Sequence, residues 1–168
     1  MNLSKYFMSA AILVAQNSKD PNTQVGAAAV SEEDRRIYGT GYNCPPFGIP
    51  DSAVPAQKPQ KYYYTIHAEI NAILAAMASA PLNNPILYCT LFPCHECYKL
   101  AIQAGIKKII YFAEVAGETW KGESRETTLK LQELSKVPII QFTDADDAVY
   151  DLLQHLRGIH YNTYRSIR

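Results

Sequence analysis

A continuous apolar run, "ILYCTLF" (residues 86–92), and a second run with an apolar centre, "KKIIYFAE" (residues 107–114), each follow a segment patterned for a helix and read as buried strands. Strands without a polar face must be covered on both sides, which restricts the chain to architectures that lay helices over a sheet. The helical segments are "HAEINAILAAMASA", rich in Ala, Leu and Ile, and "CHECYKLAIQAG", closed by Gly105. The expected fold class is therefore α/β: a three-layer α-β-α sandwich with a mixed central sheet of about five strands. At 168 residues the chain fits a single domain over residues 1–168.

The remaining elements follow from periodicity and punctuation. Leu3, Phe7, Ala10, Ala11, Val14 and Ala15 recur at helical spacing, and Asp20-Pro21-Asn22 is expected to stop that helix. "TQVGAAAVS" and "RIYGTGYN" read as two strands joined by an acidic turn, and Gly26, Gly39 and Gly41 within them mark close backbone approach. Residues 43–59 hold five of the ten prolines, so a long Pro-rich loop is expected over residues 43–61. Tyr62, Tyr63 and Tyr64 follow, with packing against the sheet as the expected role and stacking on a base as the alternative. Residues 123–134 read as a polar helix, "VPIIQF" as a short strand, and residues 143–158 as a last helix with acids at its start. A basic tail, residues 157–168, carries Arg157, Arg165 and Arg168, and covers a phosphate or a neighbouring subunit, or is frayed.

Several functional classes are disfavoured by composition. The formal net charge is zero, which gives no global attraction to nucleic acid or to an anionic membrane but permits self-association. The apolar stretch of residues 7–15 is too short to span a bilayer and lacks the basic start of a secretory signal. A cytoplasmic location follows as the expectation, where four cysteines suggest metal or catalysis more than disulfides.

Taken alone, "HAE" and "CxxC" are weak signals; a lone His at a helix start is usually a capping or buried polar group, and a Cys pair has redox, metal and packing readings. Together they are specific. His67 and Glu69 open one helix, Cys94 and Cys97 open another after Pro93, and a strand lies between. This is the H-x-E plus P-C-x-x-C arrangement of zinc nucleobase deaminases. At about 100° per residue, Cys94 and Cys97 lie about 60° apart around their helix, so both sulfurs can reach one ion. His67 and Glu69 lie about 200° apart, so they converge only if the metal sits over the end of their helix. Three protein ligands, His67, Cys94 and Cys97, leave the fourth position of one catalytic Zn²⁺ to water, and Glu69 is left free as a proton shuttle. A structural zinc site would leave Glu69 unexplained, and a redox pair would make the matched His-x-Glu a coincidence. His95 is expected to face away from the metal, Cys89 to be a packed thiol, and Cys44 an incidental one or part of a second metal site.

The stretches "YFMSAAILVAQNSKDPNTQVGA", "GYN", "IHAEINAIL" and "TLFPCHECYKLAIQAGIKKIIY" run in the order of the deoxycytidylate deaminases of the cytidine deaminase superfamily, which this chain resembles over roughly two thirds of its length. The resemblance implies a zinc-dependent, hydrolytic conversion of dCMP to dUMP that feeds thymidylate synthesis, with Glu69 as shuttle and His67, Cys94 and Cys97 as ligands. It further implies that Asn43 contacts the nucleotide, that Ser18 and Lys19 approach the phosphate, that Val25 and Gly26 form the wall under the pyrimidine, and that Ala68 lines the substrate. Many members are homo-oligomers, commonly hexamers, activated by dCTP with Mg²⁺ and inhibited by dTTP. Here Cys44 stands where glycine is common, the loop after it lacks the Gly-rich, acidic, Trp-containing pattern, and "VAGETWKGES" replaces the usual continuation.

The competing readings keep the chemistry and change the substrate to dCTP, a nucleoside or free base, tRNA adenosine, or a riboflavin-pathway pyrimidine. A tRNA editor should carry a broad basic surface. A further class is a zinc or nucleotide-binding protein without turnover, for which Glu69 has no task.

Overall fold

The computed structural model describes residues 2–55, 57, 59–79, 81, 83–113 and 122–143. Helix α1 (Leu3–Ala15) leads into β1 (Gly26–Ser31) and β2 (Arg36–Tyr42), then α2 (Ala68–Ser79), β3 (Ile86–Leu91), α3 (His95–Gln103), β4 (Lys108–Ala113), α4 (Glu123–Ser135) and β5 (Ile139–Gln141). The expected last helix and the basic tail fall almost wholly on residues 144–168, outside the described residues.

The five strands form one mixed sheet in the order β2-β1-β3-β4-β5. β1 runs antiparallel to both β2 and β3, whereas β3, β4 and β5 are parallel and joined by α3 and α4. Side chains alternate between faces with the strand period of two. Ala28, Val30, Tyr88, Ile110 and Phe112 meet Phe7, Met8, Ala11 and Ile12 of α1 on one side. Ala27, Ala29, Leu87, Cys89, Ile109 and Tyr111 meet α2 and α3 on the other. Both faces being covered is the reason β1 and β3 are buried at every position.

The close approach marked by glycines in the strands has identifiable partners. A Cβ on Gly39 would stand 2.4 Å from the Ala76 nitrogen, and one on Gly41 would stand 2.4 Å from both the Ala68 oxygen and the Ala72 nitrogen. Backbone of α2 therefore lies directly on β2. A Gly26 Cβ would meet the Ala11 oxygen of α1 in the same manner.

Three local features differ from the sequence expectation. Helix α1 ends at Ala15, several residues before Pro21, because Asn17 and Ser18 N–H groups turn back onto the Val14 and Ala15 carbonyls and Ser18 is drawn under the sheet edge. The Pro-rich loop is not featureless: it holds 3₁₀ turns at Asp51–Ala53 and Gln60–Tyr63, and Cys44 and Ile66 pair as an isolated antiparallel bridge. The tyrosine run is exposed, Tyr63 to 81%, and not packed on the sheet. In its place Lys61, only 5% exposed, carries the buried contact of this segment.

Candidate metal and active centre

The sheet topology explains how distant residues meet. β1 begins where β2 ends, Gly26 opposite Tyr42, and β3 runs antiparallel to β1 with Cys89 opposite Ala27. The start of β1, the end of β2 and the carboxyl end of β3 therefore share one edge. The last of these is the position, outside the carboxyl ends of parallel strands, where α/β sheets commonly bind ligands. Asn43 N–H donates to the Val25 carbonyl at that edge, and the Cys44–Ile66 bridge returns the chain there one residue before His67.

There α2 and α3 present their N-termini. His67 precedes Ala68, the first residue of α2, and Cys94 is the N-cap of α3, its sulfur accepting the Cys97 N–H at 3.5 Å. His67 Nδ1 lies 3.4 Å from Cys94 Sγ and 3.3 Å from Cys97 Sγ, and the three ligand atoms lie within 4.8 Å of one another. Tetrahedral zinc with Zn–S of about 2.3 Å and Zn–N of about 2.0 Å sets a nitrogen–sulfur separation of about 3.5 Å. The donor set and its spacing fit that ion. Among the described residues no second group of three such ligands occurs, and Cys44 belongs to none.

The electrostatics favour an anionic sulfur at Cys94. The hydrogen bond from Cys97, with help from His67, outweighs burial and brings the Cys94 thiol down to about 4. The hydrogen bond to Cys94 raises His67 to about 9 against the opposing effect of burial. Cys97, which gives its proton to the pair, is pushed well above its ordinary value by that hydrogen bond and by burial. Two helix N-termini add positive potential at the same place. Glu69, 4% exposed, has its carboxyl pKa raised by burial, with the His67 charge acting in the opposite sense. It is a buried acid beside the cluster that is not one of the three converging atoms.

The residues expected around a nucleotide are distributed unequally. Val25 touches both core layers, Gly26 donates its N–H to Thr90 Oγ at 3.1 Å, and Ala68 is fully buried at the start of α2. Ser18 donates its hydroxyl to the Asn43 carbonyl at 2.8 Å. The Asn43 amide accepts from Val25 N–H at 2.8 Å and donates to the Thr23 carbonyl at 2.9 Å, so these two side chains build the sheet edge. Lys19 is exposed and lines a cavity of about 200 Å³ with Asp20, Asn43, Cys44, Lys61 and Thr65. His95 faces Ser124 at 2.8 Å, away from the cluster, and burial pushes the packed Cys89 thiol well up.

Sequence reasoning passed over Lys61. Its Nζ lies 2.8 and 3.0 Å from the Asp20 carboxylate, which also accepts the Asn22 and Thr23 N–H groups. The pair ties the loop bearing Ser18 and Lys19 to the segment entering His67. The Asx turn at Asp20 was a legible signal; a buried lysine among prolines and tyrosines has none. Burial raises the Asp20 carboxyl, but Lys61 and the two N–H groups outweigh it and hold it below the usual value. A depressed folded value means that its stabilising contribution is complete above the unfolded pKa of about 3.9 and is lost as pH falls through the folded one. Lys61→Met is expected to cost about 3 kcal/mol at neutral pH, the lower end for breaking a buried pair because two donors remain. Urea unfolding at pH 7 and at pH 3.5 checks this: the difference between parent and variant should shrink at the lower pH, and a constant difference would exclude the pair as its source.

Comparison with known proteins agrees with this geometry. The family described as "Cytidine and deoxycytidylate deaminase zinc-binding region" matches residues 1–113. The deoxycytidylate deaminase of Homo sapiens is 46% identical over 116 residues, covering 66% of this chain and 64% of that protein. ComE operon protein 2 of Bacillus subtilis is 38% identical over 123 residues, covering 66% of this chain and 59% of that protein. The crystal structure of a cyanophage S-TIM5 dCMP deaminase in complex with dCMP and dUMP superposes with a TM-score of 0.63 at 26% identity, over 84% of this chain and 99% of that one. The matched region thus spans less than two thirds of the human relative's length.

Proposed function

This chain belongs to the cytidine and deoxycytidylate deaminase family, and from that premise we propose that it is an enzyme that hydrolyses dCMP to dUMP and ammonia. The observation that carries the reading is the convergence of the His67, Cys94 and Cys97 ligand atoms at two helix N-termini with buried Glu69 beside them. His67, Cys94 and Cys97 would hold a single Zn²⁺, whose Lewis acidity makes a water nucleophilic near neutral pH. Glu69 would take one proton from the attacking water and deliver it to the ring nitrogen, then take the remaining proton of the hydroxyl now on the ring carbon and pass it to the departing amine. A carboxylate with a pKa raised by burial is suited to both accepting and donating. Ammonia leaves, and the ring carbon that bore it becomes a carbonyl.

In this reading Lys19, on the open side of the cavity, meets the phosphate, with Ser18 and Asn43 holding the loop that presents it. Val25, Gly26 and Ala68 form the wall of the base site at the shared sheet edge. The name of the human relative and the nucleotides named for the phage enzyme support a nucleotide over a polynucleotide substrate. Free cysteines serving as ligands suit a reducing, cytoplasmic setting. No helix among the described residues is long and apolar enough to cross a membrane. The product would supply thymidylate synthesis. We further assign the family's homo-oligomeric, hexameric assembly, supported by Leu74 and Met77, which α2 exposes three residues apart. Control by dCTP with Mg²⁺ and by dTTP belongs to the same proposal.

A nucleotide panel tests it. Ammonia release is measured with dCMP, CMP, deoxycytidine and dCTP, each with and without dCTP or dTTP as effector. The value of kcat/KM for dCMP should exceed that for deoxycytidine by about 10-fold to 100-fold, the worth of one or two charge-assisted contacts to phosphate. Equal values for the two would reject phosphate recognition while leaving deamination standing.

A further inference from the structure

The turn that delivers Cys94 is gripped from one side by α4. On its inner side, Phe92 N–H bonds the Ala113 carbonyl at 2.9 Å, which ties the turn to the end of β4. On its outer side, three residues of the first two turns of α4 take hold of the residues flanking Cys94. Ser124 Oγ lies 2.8 Å from His95 Nδ1 and accepts the His95 backbone N–H at 3.4 Å. The Arg125 guanidinium stands 4.4 Å over the Phe92 ring. Thr128 Oγ lies 3.4 Å from the Pro93 carbonyl and 2.9 Å from the Ser124 carbonyl. Positions 92, 93 and 95 each have a partner on α4, and Cys94 between them turns its sulfur toward His67 and Cys97.

These contacts form a consistent set. His95 Nε2 lies 3.1 Å from the Glu96 carboxylate, and the tautomer with its N–H on that side leaves Nδ1 to accept from the Ser124 hydroxyl. The same hydroxyl then has a lone pair for the backbone N–H. Thr128 is the buried residue of α4, fully enclosed; its one hydroxyl proton is shared between the Ser124 carbonyl at 2.9 Å and the Pro93 carbonyl at 3.4 Å, the second being the weaker contact. A surface helix is ordinarily held by an apolar stripe. This one contributes Leu131 as a partly buried apolar contact and otherwise meets the metal turn through polar and cation–π contacts.

We propose that α4 is the support that places the Cys94 ligand, with Ser124, Arg125 and Thr128 as positioning residues. The inference rests on the metal-centre reading given above. Groups that orient metal ligands from behind commonly set affinity, and their loss lowers it by about 10-fold to 100-fold. Ser124 and Thr128 sit one turn apart and act on opposite sides of Cys94, so removing both hydroxyls lets the turn relax without altering any ligand.

The test is a zinc titration of the full chain against a chromogenic chelator, paired with the electronic spectrum of the cobalt(II)-loaded protein. Ser124→Ala with Thr128→Val, which keeps side-chain volume at position 128, should weaken zinc binding by about 10-fold or more and shift the cobalt bands. Restoring a hydroxyl with Ser124→Thr should recover most of the affinity. Leu131→Ala, which loosens α4 without touching the turn, should leave the cobalt spectrum of the parent. An unchanged affinity and spectrum in the double variant overturns the proposal, as does an equal change from Leu131→Ala. A parent chain that binds no zinc overturns the metal reading together with it, and is distinguished by the parent titration alone.

Discussion

Glu69→Gln should retain zinc and lose deamination by about 10²-fold to 10⁴-fold, the range for removing a general acid–base group. The amide is nearly isosteric, so the helix start and the three ligand atoms keep their places. It can neither take the water proton nor pass it on. Two properties make the comparison sharp. Glu69 is buried, so bulk buffer has little access to replace it, and it is not among the converging ligand atoms, so metal content is a separate readout. Cys94→Ala gives the opposite pattern: it removes a ligand and the N-cap acceptor of α3 together, and should lose metal and stability at once. Metal analysis and ammonia release on both variants decide the roles. A Glu69→Gln protein that has lost its zinc would falsify the assignment of Glu69 as shuttle.

Gly41→Ala should destabilise the protein by about 3 kcal/mol or more, at or above the usual cost of overpacking a core. The added methyl would stand 2.4 Å from the Ala68 oxygen and 2.4 Å from the Ala72 nitrogen, both backbone atoms that no rotamer change can move aside. Relief requires the start of α2 to lift from β2, and that start carries His67 and Glu69. The expected fall in Tm is therefore about 6–12 °C, accompanied by weaker zinc binding. Gly122→Ala serves as the control, since its methyl meets nothing within 4 Å and should cost under about 1 kcal/mol. Thermal unfolding with and without added zinc measures both. Equal Tm shifts at the two positions would mean that the contact of α2 with β2 is looser than described.

Much of the fold was legible because burial leaves a periodic trace. The apolar runs of β3 and β4 became buried parallel strands, and the polar segment at residues 123–134 became α4, Glu123–Ser135. Gly39 and Gly41 announced close approach, although nothing local named α2 as the partner. Other features left no such trace. The exposure of Tyr63 and the burial of Lys61 invert what their side chains suggest, because Asp20, far away in sequence, supplies the charge that lets the lysine go inside. The committed hydrogen bonds of Ser18 and Asn43 likewise depend on where the end of β2 meets the start of β1.

From residue order alone came the kinds of ligand, the angular spacing that puts Cys94 and Cys97 on one side of a helix, and the separation of Glu69 from that set. These are local quantities, governed by helix geometry over a few residues. That His67 comes within hydrogen-bonding distance of sulfurs 27 and 30 residues away was decided by the sheet. β1, antiparallel between β2 and β3, brings their ends to a common edge, and the Cys44–Ile66 bridge returns the chain to it. The grip of α4 on the Cys94 turn was decided there too, since strand register and crossover path set which surfaces touch, and neither is written in the spacing of neighbouring residues.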